Sequence, residues 1–190
     1  MMQLTLSDFV YKEPKKIQGG VIYHVFVDRF RRGGVQEVPD GAKIIRGQWK
    51  TIPEFPAYPG AMLYNNTFYG GTLWGIIEKL DYIKSLGTTA IYLSPIFRAA
   101  SNHKYDTGDY EHVDSMFGGE EALKNLIEKA KETGIEIILD GVFNHTGRDF
   151  FAFKDIKQNR ENSAYKDWYC NVNFWGNNSY NDGFSYENWG

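Results

Sequence analysis

Apolar positions along the chain fall into two kinds of segment that alternate. Val21-Ile22-Tyr23-His24-Val25-Phe26-Val27, Ala90-Ile91-Tyr92-Leu93-Ser94-Pro95 and Ile135-Glu136-Ile137-Ile138-Leu139 are short runs dense in β-branched and aromatic residues, which predicts three strands. Between the first two, Leu73, Ile76, Ile77, Leu80, Ile83 and Leu86 recur at helical spacing, with Thr72 placed to cap the start and Gly87 to stop the end. Leu123, Leu126, Ile127 and Ala130 form a second helical stripe; Glu120 and Glu121 put negative charge on its N-terminus and Gly134 ends it. The order β, long connection, α, β, loop, α, β predicts two right-handed crossovers and a parallel sheet. The third run is apolar enough to predict a strand buried on both faces. It then breaks abruptly into Asp140-Gly141-Val142-Phe143-Asn144-His145. Parallel sheets and barrels handle ligands at the carboxyl ends of their strands, so this junction is the first place to look for chemistry.

The flanks read differently. Residues 1–20, with Pro14 and Gly19-Gly20, form a polar lead-in, and Arg31 to Gly71 is a long connection punctuated by Pro39, Pro53, Pro56 and Pro59. A connection of that length inside a domain is usually functional or partly mobile. Ile96 to Gly119 is expected to be a loop. From Gly147 onward, Trp168, Tyr169, Phe174, Trp175, Tyr180, Phe184, Tyr186 and Trp189 are scattered among Asn, Asp, Gly and Ser with no helical period, which predicts a loop-rich excursion.

Composition narrows the function classes. A chain of 190 residues suffices for one domain with a buried core, and a net charge of −3 with mixed signs argues against nucleic acid. Cys170 is the one cysteine, so no internal disulfide can form, and it is expected to be a small buried or partly buried hydrophobe. The N-terminus lacks the basic start and long apolar core of a signal peptide, and no run reaches membrane-spanning length; a cytoplasmic protein with no membrane partner is expected.

Two polar clusters follow the second and third strands: Ser101-Asn102-His103-Lys104-Tyr105-Asp106-Thr107-Gly108-Asp109-Tyr110, and Asp140 through His145. Carboxylates, amides, imidazoles and aromatic rings are the mixture that a neutral, hydroxyl-rich sugar needs. Asp140-Gly141-Val142-Phe143-Asn144-His145 resembles the first signature of the α-amylase family of glycoside hydrolases, Asp-x-Val-x-Asn-His. The segment from Asn102 to Tyr110, with Val113-Asp114 and Phe117-Gly118, is similar to that family's loop after the second barrel strand. Ile22-Tyr23-His24-Val25-Phe26-Val27-Asp28-Arg29-Phe30 and Phe68-Tyr69-Gly70-Gly71-Thr72-Leu73-Trp74-Gly75-Ile76 resemble its first strand and first helix. The Ser-Asn-His-Lys-Tyr-Asp-Thr loop is most similar to the cyclomaltodextrinase, neopullulanase and maltogenic-amylase group.

The resemblance implies an α/β fold: part of a (β/α)8 TIM barrel, its first three strands and two helices at residues 21–145, followed at 146–190 by the start of an irregular domain B. It also implies roles. Tyr105 would stack on the glucosyl unit beside the scissile bond, His145 would hydrogen-bond its hydroxyls, Asp140 would brace the site by holding a partner arginine, and Asn144 would stabilise the loop leaving the strand. Without the motif, Tyr105 reads as half-buried packing and Asp140 as a turn or cap residue; within the Lys-Tyr-Asp-Thr run, stacking on sugar and packing stand level for Tyr105. His103 and Asp109 are expected to serve local loop hydrogen bonding, and Asp28 and Arg29 to pair structurally.

Retaining glycoside hydrolysis needs two carboxylates about 5–5.5 Å apart. In the family these come from later strands, and no Arg-x-Asp signature follows His145. The chain is therefore expected to be inactive alone. A calcium site known in several relatives is doubtful here, because the corresponding positions read Arg31-Arg32-Gly33-Gly34 and Thr72; no metal and no cofactor are expected. Three strands leave sheet edges open, so oligomerisation or association with the rest of a barrel is expected. Two readings stay open: a segment of a hydrolase acting on α-glucan oligosaccharides, and a non-catalytic carbohydrate-binding or interaction protein that keeps half of the sugar site.

Overall fold

The structure is a computed structural model that describes residues 17–34, 43–44, 55–61, 63 and 65–188. The lead-in up to residue 16, most of the long connection after the first strand, and Trp189 lie outside the described residues. The elements, in chain order, are β1 (Val21–Val25), α1 (Val27–Phe30), β2 (Lys43–Ile44), β3 (Thr67–Phe68), α2 (Leu73–Ile77), α3 (Leu80–Ser85), β4 (Thr88–Leu93), β5 (Phe97–Ala99), β6 (Thr107–Val113), α4 (Gly119–Thr133), β7 (Glu136–Leu139) and α5 (Phe151–Asn159).

The expected parallel sheet forms in the order β1-β4-β7. Its register brings His24 beside Tyr92 and Tyr92 beside Ile138. Because strand side chains alternate between faces, this pairing sorts the sheet into two surfaces. Tyr23, Val25, Ile91, Leu93 and Ile137 pack with Leu73, Ile76, Leu80, Ile83, Ala122, Leu126 and Ala130 of the helices, and this is the main core. The opposite face carries His24, Tyr92 and Ile138, and two residues further along the same strands come Ser94 and Asp140. The site is therefore aligned with the face that no helix covers among the described residues.

Local chemistry explains the turns. The Thr72 side chain accepts the Gly75 amide and caps α2, while its hydroxyl donates to the Gly33 carbonyl at 2.7 Å. Gly71 is required by close approach: a Cβ there would lie 1.9 Å from the Val27 carbonyl oxygen. The Asp28 carboxylate, fully buried, accepts the Tyr69 amide at 3.0 Å and the Gly70 amide at 3.1 Å, tying the end of β1 to the approach to α2. Burial pushes this carboxyl above its ordinary value against those amides, Arg29 and Lys104. Its contact with Arg29 is long, 3.7 Å, so Asp28 is chiefly an amide acceptor and the expected ion pair is secondary.

Several expectations are corrected. The single helix after Thr72 is two short ones, broken at Glu78-Lys79, and Leu86 is exposed beyond the second. The stretch from Ile96 to Gly119 is not all loop: β5 and β6 form an antiparallel hairpin, and Ser115–Phe117 is a 3-10 turn. The tail contains a regular helix, α5, whose buried Ile156 sits one turn on from the buried Ala152 and Phe153. Phe153, Ile156 and Phe184 form a second core with Tyr165, Tyr169, Val172, Phe174 and Tyr186, so Tyr169, Phe174, Phe184 and Tyr186 among the scattered aromatics are packing residues, while Trp168, Trp175 and Tyr180 are exposed. Cys170 is exposed rather than buried. The third strand is not buried throughout: Leu139, on the same face as Ile137 and Leu93, is 38% exposed because β7 is the sheet edge among the described residues.

Candidate functional site

Asp140 stands immediately after β7, and its Oδ2 accepts the Tyr105 phenol at 2.9 Å. The Tyr92 phenol, one strand away, hydrogen-bonds the same carboxylate; that bond, then burial and the carboxylate charge, push the Tyr92 phenol up to about 12. Tyr105 is raised as well, by burial first and by Asp140 second, with Ser94 acting in the opposite sense. Ser94 in turn bonds His24 Nε2 at 2.8 Å, and the His24 and Tyr92 rings lie 5.2 Å apart. A connected polar layer thus runs across the carboxyl ends of all three parallel strands.

His145 reaches back into this layer. Its Nε2 lies 3.0 Å from the Tyr105 carbonyl oxygen, which can only accept, so Nε2 carries the proton. Its Nδ1 faces the Asn144 amide at 3.4 Å. Asn144 is exposed and helps fix the imidazole tautomer. The turn from Val142 to His145 is held from below by the Tyr110 hydroxyl, which lies 2.6 Å from the Val142 carbonyl and 2.9 Å from that of His145. Phe143, 88% exposed, stacks over Tyr110.

The loop carrying Tyr105 is built from its own side chains. Ser101 bonds Asp106 and lies 3.0 Å from His103 Nδ1, while Tyr105 N–H donates to that nitrogen at 3.1 Å. Burial holds the His103 imidazole below its ordinary value, consistent with a neutral acceptor. Asp109 accepts the Glu111 amide at 2.9 Å and lies 2.8 Å from His112 Nδ1. His103 therefore serves the loop as expected, whereas Asp109 lies within β6 and makes its bonds to that strand.

The structure brings Asp140, Tyr105 and His145 together, with Asn144 at the rim. The sequence reading missed Tyr92, Ser94 and His24. The available signal was the period-two alternation back from Asp140, but using it requires the strand register, which composition does not supply.

The positions that the family resemblance links to calcium do not suit a hard cation among the described residues. Arg32 Nε donates to the Tyr69 carbonyl at 2.8 Å, Arg31 pairs with Glu78 at 3.0 Å, and the Thr72 hydroxyl is committed to Gly33. Guanidinium groups occupy the ground that oxygen ligands would need.

Known proteins resemble the chain over most of its length. The family model described as Alpha amylase, catalytic domain, matches residues 24–190. Neopullulanase 2 of Thermoactinomyces vulgaris is 42% identical over 160 residues, covering 84% of this chain and 25% of its own length. A cyclomaltodextrinase of Geobacillus thermopakistaniensis gives the same identity and coverage. The ligand-free structure of a cyclic alpha-maltosyl-(1→6)-maltose hydrolase from Arthrobacter globiformis superposes with a TM-score of 0.70 at 35% identity, over 83% of this chain and 32% of that one. The chain spans about a quarter of the length of the curated relatives it matches.

Proposed function

The chain belongs to the α-amylase catalytic-domain family, and from that premise we propose that it forms the substrate-gripping part of a retaining glycoside hydrolase acting on α-glucan oligosaccharides. The observation that carries this reading is the 2.9 Å bond between the Tyr105 phenol and Asp140, with His145 fastened to the Tyr105 carbonyl at the strand ends. A tyrosine whose phenol is held by a carboxylate and whose backbone is held by an imidazole is oriented before sugar arrives, which lowers the ordering cost of binding. Tyr105 covers the apolar face of a glucosyl unit, and a sugar hydroxyl meets the Nδ1 side of His145. Asp140 steers Tyr105 and Tyr92, and in the whole enzyme braces an arginine. The two carboxylates that break the glycosidic bond come from the part of the family fold that this chain does not span, so the chain binds without cleaving. A cytoplasmic location, starch-derived or cyclic substrates and association with the remaining barrel strands belong to the same reading.

Calorimetric titration with maltoheptaose tests it. Saturable binding that is lost in Tyr105→Ala and absent for a β-linked glucan is expected. Equal uptake of α- and β-linked oligosaccharides, or no binding by the wild-type chain, would overturn it.

A further inference from the structure

Lys104 is a residue for which the sugar-site reading has no use, yet it is the most confined cation described. It is 1% exposed and adopts φ +63°, a left-handed conformation that side-chain-bearing residues seldom take. Its Nζ lies 2.7 Å from Asp114 Oδ2 and donates to the Ala99 carbonyl at 2.8 Å, between the rings of Phe68 and Phe117 at 5.1 and 5.5 Å. Its backbone is held too: its N–H donates to Ser101 Oγ at 3.0 Å and its carbonyl accepts the Thr107 hydroxyl at 3.2 Å. A buried charge held at this many points fixes the chain where it sits, and the next residue is Tyr105. The left-handed step at Lys104 turns the chain, and the anchored ammonium decides where that turn stands relative to β5, β6 and β3.

We propose that Lys104 is the positioning residue of the site: its buried ammonium, clamped by Asp114 and the Ala99 carbonyl, holds the reversed backbone that delivers the Tyr105 phenol to Asp140. This deepens the sugar-site reading and rests on it for its functional consequence, but not for its structural one. A packing role alone would make Lys104 matter for stability and leave the Tyr105 to Asp140 contact unchanged in any variant that still folds.

The test uses the 190-residue chain with 13Cζ-labelled tyrosine. The Tyr105 resonance is assigned by its loss in Tyr105→Phe, and its displacement on Asp140→Asn measures the contact. That displacement is then measured in Lys104→Met, which keeps the length and loses the charge, and in Lys104→Gly, which frees φ and removes the anchor. Lys104→Arg and Asp114→Asn are measured beside them, the first as a charge-retaining rescue and the second as a milder loss of one clamp. Thermal unfolding followed by circular dichroism identifies the variants that fold. In folded variants the displacement is expected to collapse with Met and Gly, shrink with Asp114→Asn and return with Arg, with maltoheptaose affinity falling at least about tenfold in Lys104→Met. A full displacement in folded Lys104→Met, Lys104→Gly or Asp114→Asn overturns the assignment. Wild-type chain that shows the Lys104-dependent displacement yet binds no maltoheptaose sinks the sugar reading and leaves the positioning role standing.

Discussion

Replacing Asp140 by Asn keeps an acceptor of the same shape and removes the negative charge that two phenols share. Tyr92 stands at about 12, with the Asp140 hydrogen bond as the largest cause. A rise of about two units corresponds to about 2.7 kcal/mol of preference for the protonated phenol. Tyr92 is only partly buried, and solvent screening there leaves about 1–2 kcal/mol. In Asp140→Asn the Tyr92 phenol is therefore expected to fall by about one unit or more toward the ordinary tyrosine range. Tyr105, whose shift is led by burial, moves less. The assay is a 13Cζ-tyrosine titration through the alkaline range, with Tyr92→Phe and Tyr105→Phe picking their signals out of the 13 tyrosines. The sign for stability follows from the direction. A phenol raised in the folded state contributes stability below pH 10, and that contribution is lost as the pH climbs from 10 toward about 12. Wild-type chain should thus lose urea resistance over this window more steeply than Asp140→Asn. Tyr92 titrating near 10 in the wild type, or superimposable Tyr92 curves in the two proteins, would refute the shared-carboxylate geometry.

Other outcomes follow from the same coordinates. Asp182, buried in the tail, pays for desolvation but accepts bonds from Lys157, Arg148 and Asn178 that outweigh it and hold the carboxyl at about 2. Its contribution is present above the ordinary carboxylate range and is lost as pH falls from 3.8 through about 2. With half-exposed partners, Asp182→Asn should cost about 1–2 kcal/mol at neutral pH and nothing at the acid end, read from thermal melts at both. Leu126, fully buried on α4 under the sheet, should cost about 2–5 kcal/mol on truncation to Ala, measured by denaturant unfolding. Gly71→Ala places a methyl 1.9 Å from a carbonyl oxygen of α1, and loss of the cooperative unfolding transition is expected.

The apolar pattern made the parallel β1-β4-β7 sheet legible because each strand is a short β-branched run and each crossover helix carries its own cap or stop: Thr72 does bond Gly75, and Gly134 does end α4 in a left-handed conformation. The same reasoning failed where a pattern is shared between partners far apart in sequence. The β5–β6 hairpin pairs Phe97 with Val113 across a loop whose polar residues mask the alternation. The α5 helix was hidden because Phe150-Phe151-Ala152-Phe153 reads as aromatic clutter, although only Ala152, Phe153 and Ile156 face its core. Within the site, Asp140, Asn144 and His145 were visible as an abrupt change of polarity. Tyr92 and His24 were not, because each looks like an ordinary strand aromatic until the register sets His24, Tyr92 and Ile138 in one row.

On the proposed reading, that row also lets sugar grip and bond cleavage lie in different parts of the fold. Each contact that orients Tyr105 comes from within the described residues: Asp140 at the end of β7, Ser94 after β4, His145 in the following turn, and the His103 and Lys104 bonds of its own loop. None of these bonds requires a neighbouring strand on the open inner face, where Ile22 is 50% exposed. Closing a barrel over that face would bury the rest of the row and lower the local dielectric around Asp140. An unpaired carboxylate becomes costlier under those conditions, so the phenols of Tyr92 and Tyr105 would be held more firmly as donors and a cation would be drawn to the remaining Asp140 oxygen. An arginine, which the family resemblance implies beside Asp140, is a partner that this electrostatics would favour.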